Sequence, residues 1–340
     1  MPNLRDFTLE ALEEYLSDQG QPPWRARQIF RWLARGAKNF EEMTDLPKAL
    51  RRHLAQTADI SLPRLTTQEK GADGTIKLAL RLSDGALIET VIIPERDHYT
   101  LCLSSQVGCA MGCAFCLTAK MGFRRNLSPG EITGQIILAR EILGEEASRL
   151  TNLVFMGMGE PLANYEALLT ALRNILHPLG FGFSKRRVTV STSGLVPQLL
   201  RLSQEIVVKL AISLHAPEEG LRSQLMPVNR TWPLKELLSV CRRLKLPRGW
   251  RITFEYLLLE GINDSRATAQ KLAWILRGIP AKINLIPFNP APGLPFRCPS
   301  EERILAFQAE LLKAGYTTII RKSKGRDISA ACGQLYARVA

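Results

Sequence analysis

The sequence predicts an α/β fold whose parallel sheet is arranged as a barrel or a partial barrel. From residue 99 onward, short apolar runs alternate with amphipathic segments of helical periodicity. Such alternation is typical of parallel strands joined by crossover helices, and this many units favours a barrel. The chain of 340 residues is long enough for further modules. We expect a helical module at 1–60, a β-hairpin extension at 61–98, and the barrel with a C-terminal segment at 99–340.

The N-terminal module is predicted to consist of short helices. The first begins at Thr8 and is broken by the Gly-Gln-Pro-Pro sequence at 20–23. The second starts near Pro23 and ends at Gly36, with its apolar positions on one face. Its other face carries arginines at every fourth position, with no acidic residue between positions 25 and 38: Arg27, Arg31 and Arg35. We expect this face to contact an RNA backbone.

The β-hairpin extension and the barrel are predicted from the spacing of apolar residues, which changes after the helical module. Apolar residues alternate over 76–82, and Asp84-Gly85 then turns the chain into a second apolar run, which predicts a β-hairpin. Ser128 and Glu131 are placed for a capping box at the start of a helix. The predicted barrel strands lie near 99–104, 152–156, 187–191, 207–214, 252–258, 283–286 and 317–321. Further helices are predicted near 165–176, from 196, and near 234–244, 268–277 and 301–313.

The composition indicates a globular protein with a polyanionic partner. The hydrophobic fraction is 46%, the charged fraction is 23%, and 45 Lys and Arg against 32 Asp and Glu give a net charge of +13. The N-terminus has no signal-peptide core, and no apolar run approaches the roughly 20 residues that span a bilayer. Seven cysteines without secretory features favour the reducing cytoplasm, away from membranes. Further basic groups are expected at phosphates: Lys185-Arg186-Arg187, Arg242-Arg243, Arg321-Lys322, Lys324 and Arg326.

Three closely spaced cysteines carry the strongest chemical signal. Cys109, Cys113 and Cys116 have the spacing C-x3-C-x2-C on a single predicted loop. Three thiolates can hold three corners of a [4Fe–4S] cluster and leave the fourth iron open for a ligand. With Cys102 they could instead form a four-cysteine zinc site, although such sites usually consist of two separated C-x2-C pairs. The odd number of 7 cysteines argues against a disulfide framework.

This loop, with the aromatic Phe115 before its last cysteine, resembles the cluster loop of the radical S-adenosylmethionine (SAM) enzymes. The segment 157–161, Gly-Met-Gly-Glu-Pro, resembles the glycine-rich motif of the same family. The resemblance implies a partial (β/α)6 barrel, a [4Fe–4S] cluster on the three loop cysteines, and SAM. A carboxylate suits the SAM ammonium group, and glycines permit close backbone approach. By this resemblance, SAM would contact Gly159, Glu160, Ser191, Ser213, Leu214, His215 and Asn289.

Further segments narrow the resemblance to one subfamily. Together with 157–161, the segments 104–109, 225–229 and 331–335 resemble the dual-specificity adenosine-C2 methyltransferases of 23S ribosomal RNA and transfer RNA. The resemblance extends over essentially the whole chain. It implies methylation of C2 in a specific 23S rRNA adenosine, and in the adenosine 3′ of the anticodon of some tRNAs.

The implied chemistry gives roles to further residues. Adenine C2 is electron-poor and cannot attack the SAM methyl group as an ordinary nucleophile, so a radical route is required. The resemblance implies two SAM molecules per turnover: the first methylates Cys332, and the second generates the radical that activates the resulting S-methyl group. Cys102 would resolve the protein–RNA adduct by forming a disulfide with Cys332, and Glu89 would accept a proton. The division of proton transfers between Glu89 and Cys102 stays open.

Two other functions stay open. The sibling adenosine-C8 methyltransferases share the fold, the cluster and both catalytic cysteines, but tend to carry Ala where this chain has Pro161. The alternative from another class is a zinc-stapled RNA-binding protein without catalytic activity. For the enzyme, the resemblance implies 23S rRNA and tRNA as partners and a low-potential electron donor such as flavodoxin or ferredoxin. We expect a monomer.

Overall fold

The computed structural model describes residues 1–336. Its helices are α1 (Leu9–Ser17), α2 (Trp24–Arg35), α3 (Lys48–Thr57), α4 (Leu117–Lys120), α5 (Pro129–Leu143), α6 (Tyr165–Leu176), α7 (Val196–Glu205), α8 (Glu219–Leu225), α9 (Leu234–Arg243), α10 (Arg266–Ile275) and α11 (Glu301–Lys313). Its strands are β1 (Arg64–Lys70), β2 (Ile76–Arg81), β3 (Leu87–Pro94), β4 (Tyr99–Cys102), β5 (Gln106–Gly108), β6 (Phe123–Asn126), β7 (Leu150–Phe155), β8 (Val188–Thr192), β9 (Lys209–Ser213), β10 (Ile252–Leu258), β11 (Ala281–Pro287) and β12 (Thr317–Ile320).

The main sheet is a parallel, open barrel with an antiparallel extension. Strands β4, β7, β8, β9, β10, β11 and β12 pair in parallel in that order. Strands β3, β2 and β1 continue the sheet beyond β4 in antiparallel pairs. Within residues 1–336 the sheet does not close, so the predicted partial barrel is confirmed. Its parallel part extends beyond six strands because α11 returns the chain to add β12 beside β11.

The N-terminal helices have an apolar core of their own, which lies against the barrel helices α5 and α6. This core is a separate cluster of buried side chains between positions 4 and 60. Two hydrogen bonds join the module to the barrel: Gly130 N donates to Asp6 Oδ1 at 2.7 Å, and Asn174 Nδ2 donates to Phe7 O at 2.9 Å. These bonds fix the module against the start of α5 and the end of α6.

The arginine face of α2 differs from the sequence expectation. The helix ends at Gly36, which has the predicted left-handed conformation with φ +96°. Arg31 and Arg35 are exposed on the face opposite the core. Arg27 Nε, however, lies 3.4 Å from Glu13 Oε1 of α1. The expectation of a face without a neutralising acid is therefore wrong at Arg27, because the packing of α1 on α2 supplies one.

Local signals mark some elements and miss others. The predicted capping box at α5 is confirmed, since Ser128 Oγ accepts from Glu131 N and the Glu131 side chain accepts from Ser128 N. Strand β1 was not foreseen because all its residues are exposed and leave no apolar alternation. The short ribbon of β5 and β6, which flanks the cysteine loop, also lacks a recognisable pattern. No helix in residues 1–336 is both long and apolar enough to cross a membrane.

Candidate active site

A cavity lies where the loops at the carboxyl ends of the barrel strands meet the cysteine loop. Active sites of parallel barrels lie at this end because the loops after successive strands converge there. The predicted site residues that line the cavity are Cys109, Cys113, Cys116, Gly159, Glu160, Ser191, Ser213, His215 and Cys332. The predicted residues that lie outside its wall are Glu89, Cys102, Leu214 and Asn289.

The cysteine loop is held at one end of the cavity by backbone hydrogen bonds. Gly108, at the end of β5, has φ +74°, and a Cβ there would lie 1.8 Å from Gly122 O. Only glycine therefore allows Cys109 N to donate to Gly122 O at 2.9 Å. On the other side of the loop, Ala114 N donates to Leu225 O at 2.9 Å, at the end of α8.

The electrostatics of the loop thiols fit a polynuclear cluster. Burial, and repulsion between neighbouring thiolates, raise the pKa of Cys109 to about 12 and also raise those of Cys113 and Cys116. A bound cationic cluster would stabilise the thiolates in this setting, with release of protons. The C-x3-C-x2-C spacing of the three cysteines fits a [4Fe–4S] cluster, in which each thiolate binds a different iron.

The alternative four-cysteine zinc site is not assembled, because no three candidate ligands converge on one point within residues 1–336. Cys102 is the last residue of β4 and lies between Val91 of β3 and Val154 of β7.

The glycine-rich turn after β7 places a carboxylate in the cavity wall. Gly159 has φ +98°, and a Cβ there would lie 2.5 Å from Gln106 Cβ, so the turn requires glycine. Glu160 is buried, and its Oε1 and Oε2 accept from Leu162 N at 3.0 Å and from Ser193 N at 2.7 Å. Burial raises the pKa of Glu160, and these N–H groups oppose that rise. The carboxylate is thereby fixed in one orientation, with lone pairs left for an ammonium group.

His215 is a neutral hydrogen-bond donor at the end of β9. It is buried, and its Nδ1 accepts from Leu257 N at 3.0 Å, which places the ring proton on Nε2. Burial, helped by the charge of Arg222, lowers the pKa of His215 to about 3. Its ring packs edge-on against Phe115 of the cysteine loop, with 4.8 Å between centroids. The histidine therefore connects the cluster loop to the barrel.

Asn289 carries an observation that fits a bound adenosyl group. It is buried, yet neither Nδ2 nor Oδ1 has a hydrogen-bond partner within residues 1–336. Leaving both polar atoms of a buried amide unsatisfied is costly, and an adenine edge offers a donor and an acceptor together. Leu214 differs, because its side chain lies in the core and its backbone is already paired. Its N donates to Glu255 O at 3.0 Å, and its O accepts from Ala216 N at 2.8 Å and from Arg222 Nε at 3.2 Å. Ser191 and Ser213 lie partly buried at the cavity wall.

Arg222 is a central residue that the sequence reasoning missed. Its side chain is fully buried behind the cavity. The guanidinium group donates to Leu214 O at 3.2 Å, Asn229 Oδ1 at 2.7 Å, Ser193 O at 2.8 Å and Ser213 O at 3.1 Å. It therefore joins the ends of β8 and β9 to the segment 225–229. The sequence analysis predicts no helix at α8, and the residues around Arg222 show no pattern that marks it as buried.

Cys102 and Cys332 form a group with Arg321. Burial raises the pKa of Cys102 to about 12, Cys332 adds to that rise, and Arg321 opposes it. Cys332 is exposed and lines the cavity, whereas Cys102 is buried beneath it. Arg321 Nη1 lies 3.6 Å from Met156 Sδ in the cavity wall. Arg321, which we expect at a phosphate, directly follows the end of β12 and lines the cavity, so a phosphate would meet it only inside the cavity.

Glu89 holds the C-terminal segment rather than facing the cavity. Its Oε2 accepts from Tyr336 N at 2.8 Å, and its Oε1 lies 3.6 Å from Lys77 Nζ. Burial raises the pKa of Glu89, and Lys77 opposes that rise. Lys77 also donates to Ile328 O at 2.7 Å. The hairpin strands β2 and β3 thus grip both ends of the segment that carries Cys332.

Two protein-family models match separate parts of the chain. The model of the ribosomal RNA large subunit methyltransferase N-terminal domain matches residues 2–60, and that of the radical SAM superfamily matches residues 103–272. The dual-specificity RNA methyltransferase RlmN of Syntrophus aciditrophicus is 51% identical over 98% of this chain and 96% of its own. The chain belongs to this family of radical SAM methyltransferases.

Further relatives of the radical SAM methyltransferases agree. RlmN of Anaeromyxobacter sp. is 52% identical over 99% of this chain and 91% of its own. The crystal structure of a radical SAM methyltransferase from Sphaerobacter thermophilus matches with a TM-score of 0.93 and 48% identity, over 98% of this chain and 99% of that one. Membership of the family confirms the predicted enzyme class and the predicted [4Fe–4S] and SAM cofactors, and it does not favour the zinc-stapled binding protein.

Replacing Arg222 by Met is expected to destabilise the protein by about 3–5 kcal/mol, because four acceptors behind the cavity lose their donor. The free energy of unfolding in urea measures this. Arg230→Met is the matched control, since Arg230 is exposed in the same region, and it should change stability by less than about 0.5 kcal/mol. Equal destabilisation of the two variants would contradict the bracing role of Arg222.

The low pKa of His215 predicts a loss of stability in acid. Between about pH 6.5 and pH 3 the unfolded chain protonates this histidine and the folded protein does not, so stability falls as the pH falls. At pH 5 the expected loss is about 2 kcal/mol relative to pH 7. His215→Gln removes the titrating group, so its unfolding free energy should fall less over the same interval. An identical pH dependence in both proteins would show that His215 titrates normally.

Replacing Lys77 by Met is expected to loosen the segment that carries Cys332. A hydrogen bond from a charged donor contributes about 1.5 kcal/mol or more, so amides in 325–336 should exchange roughly ten-fold faster. Hydrogen exchange with mass spectrometry of that segment measures the change. Lys70→Met, on the exposed strand β1, removes the same charge and should leave exchange unaltered. Acceleration in both variants would point to the removal of hairpin charge instead of the removal of the Lys77 bond.

Proposed function

We propose that this radical SAM methyltransferase methylates C2 of a specific adenosine in 23S rRNA, and of the adenosine 3′ of the anticodon in some tRNAs. The observation that carries the proposal is that Cys332 lines the cavity while the buried Cys102 is close enough for Cys332 to raise its pKa. An ordinary methyl transfer needs no cysteine pair, whereas a covalent protein–RNA adduct needs one thiol to form it and another to resolve it. The names of the relatives, dual-specificity RNA methyltransferases, support the RNA substrates.

The residues present fit the two cofactors. Cys109, Cys113 and Cys116 would hold the cluster, and Glu160 would accept hydrogen bonds from the SAM ammonium group. His215 would donate from Nε2, and Asn289 would pair with the adenine edge through its unsatisfied amide. Backbone groups at Gly159 and the hydroxyls of Ser191 and Ser213 would complete the polar contacts, and Leu214 would lie beside SAM without a free backbone group to bind it. When bound, the cofactors supply the methyl group and the one-electron chemistry that activates it.

The chain's own residues carry the covalent steps. The Cys332 thiolate would attack the methyl carbon of the SAM sulfonium group. The new S–C bond would form as the sulfonium S–C bond breaks, S-adenosylhomocysteine would leave with the electron pair, and the protein would carry S-methylcysteine. In the later adduct this carbon links Cys332 to adenine C2. The Cys102 thiolate then attacks the Cys332 sulfur: the S–S bond forms, the S–C bond breaks, and the carbon leaves with the electron pair and takes a proton. The two cysteines are oxidised to a disulfide, and the carbon is reduced to the methyl product.

Glu89 is proposed as a proton acceptor that acts after the C-terminal segment moves. Its carboxylate contacts Lys77 and Tyr336 N, and its raised pKa makes it a better base than an exposed glutamate. Release of the segment would free one oxygen for a proton. The reset of the disulfide requires a thiol reductant, and we propose flavodoxin or ferredoxin as the low-potential electron donor.

We further propose a monomer in the cytoplasm, organised as an RNA-binding module at 1–60, a hairpin extension at 61–98 and the catalytic barrel at 99–340. Support for the first boundary is the separate apolar core of the N-terminal helices. The contacts of the extension with the Cys332 segment support a positioning role for the hairpin. Between the two methyltransferase products, Pro161 favours C2 over C8.

The proposal predicts a trapped covalent complex. When Cys102→Ala is expressed with the cluster loaded, we expect RNA bound through Cys332, because the adduct forms and cannot be resolved. Intact mass and nuclease digestion detect the adduct, while nucleoside analysis of RNA from wild-type cultures should show 2-methyladenosine. Cys298→Ala, in a loop away from the cavity wall, is the matched control and should turn over normally.

Other outcomes would contradict the proposal in different ways. Formation of 8-methyladenosine would identify the sibling activity. Neither product nor adduct with cluster-loaded protein would exclude RNA methylation at adenine carbon. An adduct on Cys332 in the wild type and Cys102→Ala alike would remove the resolving role of Cys102.

A further inference from the structure

The opposite end of the barrel carries a cluster of cations around an opening. At the amino ends of β8 to β11, an opening is lined by basic side chains and Trp250, and we call it the basic mouth. The basic residues are Arg186, Lys209, Arg248, Arg251 and Lys282. The buried Thr253 of β10 pairs in register with Lys282 of β11 and with Ala211, two residues beyond Lys209, of β9. The two lysines therefore flank one strand.

No acidic residue among 1–336 lines the opening beside these cations. None of the five makes an ion pair there, and Arg251 donates only to the neutral Thr317 Oγ1, at 2.8 Å. Deeper inside, the charge of Lys282 opposes the rise that burial causes in the pKa of Glu255. Burial, together with repulsion from Lys282, Arg187 and Arg186, lowers the pKa of Lys209. Neighbouring like charges repel and reduce the stability of the folded protein. An anion bound between them would offset that repulsion.

The basic mouth opens into a polar cavity. The cavity passes Thr189 and Asn284 and reaches Glu255 and Arg321, which also line the candidate active site. Its acidic members are Glu95 and the deeply placed Glu255, so the cations dominate near the opening. A concave opening of this kind suits a small, multiply charged group more than the flat surface of a protein.

We propose that the basic mouth binds a phosphorylated nucleotide, with Lys209 and Lys282 at the phosphates and Trp250 against the base. Partly buried aromatic side chains beside cationic grooves bind nucleotides by stacking and phosphate neutralisation. The nucleotide is either free or an unpaired nucleotide of an RNA substrate, and the second source rests on the proposed function. The site lies at the other end of the strands from Cys332, and the polar cavity connects it to the candidate active site.

The RNA source is tested by the salt dependence of binding. Cluster-loaded wild type is compared with the Lys209→Met/Lys282→Met double variant, using a labelled tRNA anticodon stem-loop. Removing a phosphate contact lowers the slope of log affinity against log salt, so we expect a decrease of about 1.5 when both lysines are replaced. Lys235→Met/Lys313→Met removes the same charge from exposed positions outside the mouth, at which no phosphate contact is expected, and should change the slope by much less.

The free-nucleotide source is tested with labelled ATP and its anisotropy. Binding that saturates with wild type and the control, but is weakened at least ten-fold in the lysine variant, supports a free nucleotide. Trp250→Leu should weaken the same binding while leaving inorganic tripolyphosphate binding intact. Thermal unfolding of the lysine variant is expected at or above the wild-type temperature, because repulsion is relieved, so weaker binding would not reflect unfolding.

Three results would overturn the proposal. Equal slopes in both double variants together with no ATP binding would show that the cations are only solvated. Equal weakening of binding in both variants would reflect net charge alone. If the Lys209→Met/Lys282→Met variant bound nucleotide normally but its cluster were reduced more slowly by acidic flavodoxin, the mouth would be a protein-docking surface. These readouts do not need methylation, so failure to find 2-methyladenosine would leave the binding result to stand by itself.

Discussion

The fully buried guanidinium group of Arg222 constrains the geometry of the candidate site. Desolvation of a buried cation costs several kcal/mol, and only a complete set of acceptors offsets it. Here backbone carbonyls at the ends of β8 and β9, with the Asn229 side chain, supply that set. The chain segments at Ser193 and Ser213 are therefore fixed relative to each other. The same charge helps to keep His215 neutral, so one interaction determines both placement and protonation.

A second constraint acts from the opposite wall, where the β-hairpin extension meets the C-terminal segment. Asp73 Oδ2 accepts from Gly325 N at 2.9 Å, and Asp327 Oδ2 accepts from Ala72 N at 2.8 Å. Together with the contacts of Lys77 and Glu89, these bonds hold the segment that carries Cys332 between the hairpin and the cysteine loop. Each of these hydrogen bonds joins distant parts of the chain and is individually modest, which suits the release of the segment that the proposed role of Glu89 requires.

Sequence patterns could predict what repeats or what is chemically rare. Apolar periodicity was enough for α6, α11 and the order of the parallel strands, and three cysteines in eight residues were enough for the cluster loop. Arg222 was missed because nothing in the sequence around it distinguishes a buried arginine from an exposed one. The hydrogen bond from Tyr336 N to Glu89 could not be predicted for another reason. It joins residues 247 positions apart, and no local sequence pattern indicates such a contact.

The backbone bonds beside Cys116 have a consequence for how the protein matures. Leu117 N donates to Gly333 O at 2.8 Å, and Thr118 Oγ1 donates to Leu335 O at 2.7 Å, so the C-terminal segment lies directly over the end of the cysteine loop. A cluster bound by the loop would be covered on this side by the docked segment. Synthesis would allow the cluster to bind first, because the loop leaves the ribosome more than 200 residues ahead of Gly333.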